Sequence, residues 1–357
     1  MSHEPRLNDL VDIPKLTAWL DVNVPALGDG PLDAKLIHGG TSNVVISLDR
    51  GAGVIVLRRP PAVPPPGSEK TVLREARVLT ALNGTPVPHP QCYGSCADPT
   101  VIGAPFYVME FVKGWSGQLR DEKIHNAPPF DRMPYDYGIP FAVVGGLVAL
   151  ANVDYKAVGL EDFGKPDNFL ERQVDRWARQ LASYKTLYNY PGRELPGYDL
   201  TEKWLRANTP SSFKAGIIHG DIGITNMLFA PDPPARLMAL IDWELSTIGD
   251  PLIDLAWLCN GLRDERWPDR VVEGSLSDPT HWPTRQELAR YYASGTGRDV
   301  SQFDYYLLLA RFKAGCILEY KVAQAAAGIL SPETGKFFSR MVLQCFSEAA
   351  DMIHKIS

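Results

Sequence analysis

The run His219-Gly220-Asp221-Ile222-Gly223-Ile224-Thr225-Asn226, followed by Ile241-Asp242-Trp243-Glu244, constrains this chain more than anything else in it. An aspartate stands five residues before an asparagine, and a second aspartate follows one hairpin-like segment later. Ala215 to Ile218 is apolar and predicts a short strand leading in. Two glycines permit tight turns in the loop that follows. Asn226 to Phe229 predicts a strand, Pro231-Asp232-Pro233-Pro234 a turn, and Leu237 to Ile241 a second strand ending at Asp242. Such a hairpin brings Asn226 and Asp242 together at one end, with Asp221 on the loop that feeds it. An amide oxygen and a carboxylate are hard ligands suited to Mg²⁺. A further carboxylate near a bound hydroxyl completes what phosphoryl transfer from a nucleoside triphosphate asks of a protein.

Composition narrows the class. A length of 357 residues suggests about two domains, and 45% hydrophobic residues suit a sizeable core. The net charge of −6, with basic residues scattered, gives no nucleic-acid footprint. A mildly acidic surface tolerates a cationic ligand without demonstrating one. Cys92 and Cys96 are spaced too widely for a Cys-x-x-Cys metal knuckle, and read as free thiols of a reducing compartment. The N-terminus is polar and lacks an apolar signal core. The longest apolar stretch, Phe141 to Ala151, is about half of a membrane span. These features together predict a cytoplasmic protein without membrane or nucleic-acid partners; they do not assign an oligomeric state.

Along the chain, Val11 to Leu20 predicts a short helix. Ala34 to Ile37, Val44 to Leu48 and Val54 to Arg58 predict strands, the first two flanking a glycine turn. Pro60 to Gly67 is too rich in proline for helix or central strand. Ser68 to Leu82 has helical periodicity through Val72, Leu73, Ala76, Leu79 and Leu82, and carries Glu75. Phe106 to Phe111 predicts a strand, and Val112-Lys113-Gly114 a lobe boundary. Gly114 to Gly138 is long and irregular, the mark of a functional or mobile segment. Phe141 to Val153 predicts an apolar helix. Asn168-Phe169-Leu170-Glu171 predicts a capping box opening an amphipathic helix, and Asp199 to Thr209 another helix.

With these residues in place, the chain resembles the aminoglycoside phosphotransferase and choline kinase family. The resemblance is carried by His219 to Asn226, Ile241 to Glu244 and Gly249-Asp250-Pro251-Leu252-Ile253-Asp254-Leu255-Ala256. Upstream it is carried by Gly39-Gly40-Thr41-Ser42-Asn43, Val56-Leu57-Arg58-Arg59-Pro60, Arg74-Glu75 and Phe106 to Phe111. The Gly39-to-Arg59 and Ile102-to-Phe111 segments look most like the subgroup linked to acyl-CoA dehydrogenases. The resemblance implies an α+β, bilobal, protein-kinase-like fold: residues 1–111 would form an N-lobe of antiparallel sheet plus helix, and 112–357 a mainly helical C-lobe. It implies ATP (GTP not excluded) and Mg²⁺ as cofactors, and a small-molecule hydroxyl as acceptor.

Residue by residue, it implies that Asp221 is the base orienting the acceptor hydroxyl, and that Asn226 and Asp242 bind Mg²⁺. Gly39, Gly40, Thr41, Ser42 and Asn43 would form the turn over the phosphates. Arg58 stands where most relatives have lysine, and Glu75 would pair with it. Glu110 and Phe111 would receive the adenine, and Asp250 or Asp254 would brace the catalytic loop. Gly223 stands where many relatives carry a cation, which leaves open which cation stabilises the transferring phosphoryl. The glycine turn also lacks the full Gly-x-Gly-x-x-Gly pattern.

Plainer readings stand beside these. The resemblance implies a structural role for His219, against a catalytic base. A zinc hydrolase built on His219 and Asp221 lacks further ligands in the sequence. Glu75 alone reads as a solvent-exposed helix charge, and Asp250 and Asp254 as acids at a helix start. Glu244 reads as metal ligand or as outer support. The aromatic residues from Trp257 to Tyr306 read as core or as pocket wall. Arg58 and the incomplete glycine turn motivate an alternative class, a nucleotide-binding pseudokinase or scaffold without turnover.

Overall fold

The computed structural model describes residues 6–37, 43–64, 67–120, 123–267 and 281–356. The expected turn at Gly39 to Ser42 lies outside them, and so does part of the proline-rich segment, at 65–66. The helix expected over Val11 to Leu20 is α2 (Ile13–Asn23), and a short helix that was not expected, α1 (Leu7–Leu10), precedes it. Asp12 separates them, its side chain capping α2 by accepting from Lys15 N at 3.2 Å.

Five strands then form one antiparallel sheet: β1 (Asp33–Ile37), β2 (Val44–Asp49), β3 (Val54–Arg59), β4 (Cys92–Cys96) and β5 (Phe106–Glu110), in the order β1-β2-β3-β5-β4. Alternation of side chains across the pleat divides β3 and β5 between two cores. Ile55, Leu57, Phe106 and Val108 pack with Leu16 and Leu20 of α2. Val56, Tyr107 and Met109 face α3 (Ser68–Leu82), whose buried stripe is Val72, Glu75, Ala76, Leu79 and Leu82. The same period places Arg58 on the α3 face, directly opposite Tyr107 across the ladder. A carboxylate in an apolar helix stripe must find a partner, and Glu75 lies where Arg58 and Tyr107 converge.

After the sheet, Gly114 to Gly138 is less irregular than its sequence suggests. It holds a small ladder, β6 (Gln118–Arg120) with β7 (Lys123–His125). Helices dominate from there: α4 (Ile139–Ala151), α5 (Glu171–Leu187) and α6 (Tyr198–Ala207). The capping box at Asn168 does not form. Asn168 takes a left-handed conformation at φ 51, and the residue before α5 is Leu170, whose side chain cannot cap. β8 (Gly216–Ile218), β9 (Met227–Phe229), β10 (Leu237–Leu240) and β11 (Thr247–Gly249) flank the His219-to-Asn226 and Ile241-to-Glu244 segments, followed by α7 (Leu252–Cys259), α8 (Arg285–Thr296), α9 (Phe303–Ala326) and α10 (Pro332–Ile356). The larger of the two cores runs from α3 through α4 and the hairpin to α9 and α10. The chain thus has the bilobal α+β, protein-kinase-like fold expected of it. All five cysteines are free thiols, and among the described residues no helix is long and apolar enough to cross a membrane.

Candidate active site

β8 pairs antiparallel with β11, so the loop leaving β8 at His219 lies beside the segment entering β11. β9 and β10 form the expected hairpin, with Leu240 opposite Met227. Asn226 itself falls in a short 3-10 turn rather than in the strand. The ladder still continues one step, because Ile241 N donates to Asn226 O at 2.9 Å. Asn226 and Asp242 therefore sit side by side at the hairpin's end. Asp242 is one of three described non-glycine residues with positive φ, at 68, a backbone state that clusters at functional sites.

Asp221 is joined to this end directly. Asn226 Nδ2 donates to Asp221 Oδ2 at 2.9 Å and to the Asp221 carbonyl at 3.2 Å. A carboxylate can only accept, so the amide nitrogen faces Asp221 and the amide oxygen turns away. That oxygen and the Asp242 carboxylate are hard donors in adjacent positions. No cluster of three or more His, Cys, Asp or Glu among the described residues could cage a metal alone. These two side chains could hold a divalent cation only together with ligand oxygens, as Mg²⁺ is held against phosphates. Burial raises the Asp221 pKa, opposed by the charge of Lys313 and reinforced by Asp242. Burial also raises the Glu244 pKa, followed by the charge of Asp242, so Glu244 lies close beside the hairpin end.

The loop is fixed by backbone contacts. Asp254 accepts from His219 N at 2.6 Å with one oxygen and from Gly220 N at 2.9 Å with the other. Asp254 thus braces the loop, and Asp250 does not: it binds Tyr306 Oη at 2.6 Å and Leu252 N at 3.1 Å. Gly220, at φ 90, packs so closely on Leu245 O that an added Cβ would approach it to 2.6 Å. His219 is wholly buried, 4.6 Å from the Trp243 ring. Its Nε2 lies 3.0 Å from the Ile241 carbonyl and its Nδ1 3.3 Å from Asp221 N. Burial lowers its pKa to about 4, against the pull of the Ile241 carbonyl. A neutral ring with both nitrogens engaged holds the loop and has no lone pair left for a substrate proton.

Across the cleft, Arg58 links sheet and hairpin. Its Nη2 donates to Asp242 Oδ1 at 2.5 Å, and its Nε lies 3.1 Å from Glu75 Oε2 in an ion pair without hydrogen-bond alignment. Glu75 is fully buried and also accepts from Tyr107 Oη at 2.9 Å and Asn43 Nδ2 at 3.3 Å. Burial would lower the Arg58 pKa, but Tyr107, Glu75 and Asp242 reverse this and raise it. Glu110 ends β5, tied to Gln91 by its backbone N–H at 2.9 Å and its side chain at 3.3 Å, with Phe111 partly exposed just beyond.

Two contributors escaped the sequence reading. Tyr107 sits in an ordinary apolar strand and gives no signal. Lys313 stands in the apolar run of α9, where a lone buried cation is itself a signal. Its Nζ donates to Gly220 O at 3.0 Å and lies 4.2 Å from the Trp257 ring centroid. It is a cation near Asp221 that arrives from a distant helix rather than from position 223. Of the later aromatic residues, Trp282, Tyr292 and Tyr305 are buried core, whereas Trp257 and the buried Tyr306 line a cavity wall.

The profile of the phosphotransferase enzyme family matches residues 33–289. A probable acyl-CoA dehydrogenase of Arabidopsis thaliana is 33% identical over 83% of this chain and 37% of its own length. Human acyl-CoA dehydrogenase family member 11 is 31% identical over 93% of this chain and 42% of its own length. The chain thus spans about two fifths of the length of these curated relatives. A Ralstonia eutropha protein, provisionally assigned as an aminoglycoside phosphotransferase, has a solved structure that superposes with a TM-score of 0.78 at 29% identity, covering 95% of this chain and 98% of that one. The chain belongs to the phosphotransferase enzyme family.

Proposed function

We propose that this protein transfers the γ-phosphoryl group of Mg·ATP, or of GTP, to a hydroxyl of a small molecule. One observation carries the proposal: Asp221, Asn226 and Asp242 meet at the end of one hairpin, and Arg58 reaches that end from the opposite sheet. The nucleotide would lie between residues 1–111 and 112–357, with its adenine near Glu110 and Phe111. The turn of Gly39, Gly40, Thr41, Ser42 and Asn43 would cover its phosphates. Arg58, oriented by Glu75, would hold phosphate oxygens. Mg²⁺, when bound to Asn226 and Asp242, would neutralise the phosphates. Asp221 would accept the acceptor hydroxyl's proton as that oxygen bonds to Pγ. The bond between Pγ and the bridging oxygen would break, and the electron pair would leave with the nucleoside diphosphate. We place the reaction in the cytoplasm, in keeping with five free thiols.

A second reading, a nucleotide-binding scaffold without turnover, rests on the Arg58–Asp242 contact, which occupies one oxygen of the would-be metal ligand. ADP release from Mg·ATP, measured against aminoglycosides, amino alcohols and hydroxyacyl compounds, separates the two. Acceptor-stimulated release that vanishes in Asp221→Asn supports the kinase. Mg·ATP binding without stimulation by any panel member favours the scaffold.

A further inference from the structure

A groove of about 390 Å³ runs away from the catalytic region between α5, α3 and the segment entering β11. Its lining holds five cations, Arg74, Lys165, Arg172, Arg176 and Arg179, against one acid, Glu244. This concentration of positive charge stands in a chain whose net charge is −6. Arg172, Arg176 and Arg179 fall at i, i+4 and i+7 on one face of α5 and span about 10 Å.

The cations are not spent on internal ion pairs. Among the described residues none of the five has a carboxylate within ion-pair distance. Nearby acids are committed elsewhere, Asp162 to Arg77 and Asp175 to Arg206. Arg74 donates to the carbonyls of Phe163 and Ser246, Arg172 to those of Lys165 and Asp167, and Arg179 to that of Asp175. Arg176 makes no hydrogen bond to a described residue and lies 4.6 Å from the ring of its neighbour Trp177. Like charges gathered along one wall repel each other, and an anion between them removes that cost.

The groove also reaches the chemistry. Glu244, in its lining, stands two residues after Asp242. A smaller adjoining cavity shares Arg176, Leu245 and Thr247 with the groove and is lined further in by Gly220 and Lys313. Lys313 is 7% exposed, and among the described residues its one hydrogen bond is to the Gly220 carbonyl. A ligand whose hydroxyl lay at Asp221 could extend past Glu244 and Leu245 into the line of arginines.

We infer that the acceptor is a polyanion: its hydroxyl lies at Asp221, and two or more phosphate groups of the same molecule lie along Arg172, Arg176 and Arg179. This inference rests on the phosphotransfer reading and narrows it. Arginine forks match phosphate oxygens in pairs, and a row of three suits more than one phosphate. The same row repels polyamines, so aminoglycosides and amino alcohols are poor acceptors here, and a phosphorylated hydroxy compound is a good one.

The test is calorimetry on the whole chain, with the nucleotide site filled by AMP-PNP and Mg²⁺ in excess, using inorganic pyrophosphate as probe. The wild type should bind pyrophosphate, with affinity falling as salt rises. Arg176→Glu with Arg179→Glu should weaken it by at least about tenfold, whereas the two glutamine replacements should give an intermediate loss. Binding of Mg·AMP-PNP should be unchanged in both. No pyrophosphate binding by the wild type, or equal binding by the glutamate variant, would overturn the inference. So would tighter binding of kanamycin than of pyrophosphate to the wild type. The AMP-PNP titration reports separately on the nucleotide reading, and its failure would count against that reading alone.

Discussion

Arg58 and Lys313 are both buried cations beside the cleft, and they are held in opposite ways. Arg58 meets carboxylates directly, Glu75 at 3.1 Å and Asp242 at 2.5 Å. Lys313 donates to a carbonyl at 3.0 Å and rests on an indole ring 4.2 Å away. Burial penalises both charges. For Arg58 the surrounding groups reverse the penalty, whereas for Lys313 burial prevails over Asp254 and Asp221 and brings the pKa down to about 8. The difference shows what each side of the cleft is built to do. The sheet side is a closed knot of charge that links two lobes. The loop side is a frame of backbone hydrogen bonds around carboxylates, with a cation near them and not locked to them.

The comparison breaks if the two sides respond alike to mutation. The largest effect is expected at Asp221, which is held by a single amide. Asp221→Asn should lower turnover by roughly 10²–10⁴ and leave folding and nucleotide affinity largely intact, as read by steady-state kinetics and calorimetry. Arg58→Ala should act on stability instead. It leaves fully buried Glu75 facing Asp242 without its cation, at a cost of about 3–5 kcal/mol in urea unfolding. Arg58→Ala with undiminished stability would dissolve the knot.

Two pH measurements sharpen the contrast. Lys313 holds its proton less well folded than unfolded, its pKa falling from 10.5 to about 8. The unfolded chain therefore binds more protons across that window, and wild-type stability should rise as pH climbs from about 8 towards 10.5. Lys313→Met should lack this rise; denaturant midpoints at several pH values decide the matter. His219 behaves analogously at acid pH, with its pKa lowered from 6.5 to about 4. Its contribution is complete above pH 6.5 and is lost as pH falls towards 4. The loss is on the order of 3 kcal/mol at most. His219→Gln should flatten that slope, even though it also removes the contact with Trp243. An unchanged slope would mean that the ring is not buried neutral.

Much of this site was legible because its parts are local. The hairpin, the loop, Asp250 and Asp254 lie within Gly216 to Asp254, so pattern and turn chemistry locate them together. Helix α3 was readable to its ends because its apolar period is regular. The Arg58–Glu75 pairing needed the resemblance, since a helix glutamate usually faces water. What could not be read arrives from far away. Lys313 is 93 residues from Gly220, and Arg58 is 184 from Asp242; no local pattern encodes such pairings. The capping box failed because Asn168 took a left-handed turn and left Leu170 at the start of α5. The cationic groove was invisible for a similar reason. Its arginines alternate with acids in the α5 sequence; Asp175 shares their face but is taken up by Arg206 of α6, a pairing that no local pattern shows.

The central claim is that the hairpin end moves a phosphoryl group onto a hydroxyl. Incubating the protein with ATP radiolabelled at its γ-phosphate, Mg²⁺ and a mixture of phosphorylated hydroxy compounds, then counting label in organic products, tests it most directly. The account predicts label in an organic phosphate ester with the wild type and almost none with Asp221→Asn. Equal labelling by the two proteins would contradict it, and so would label only in inorganic phosphate.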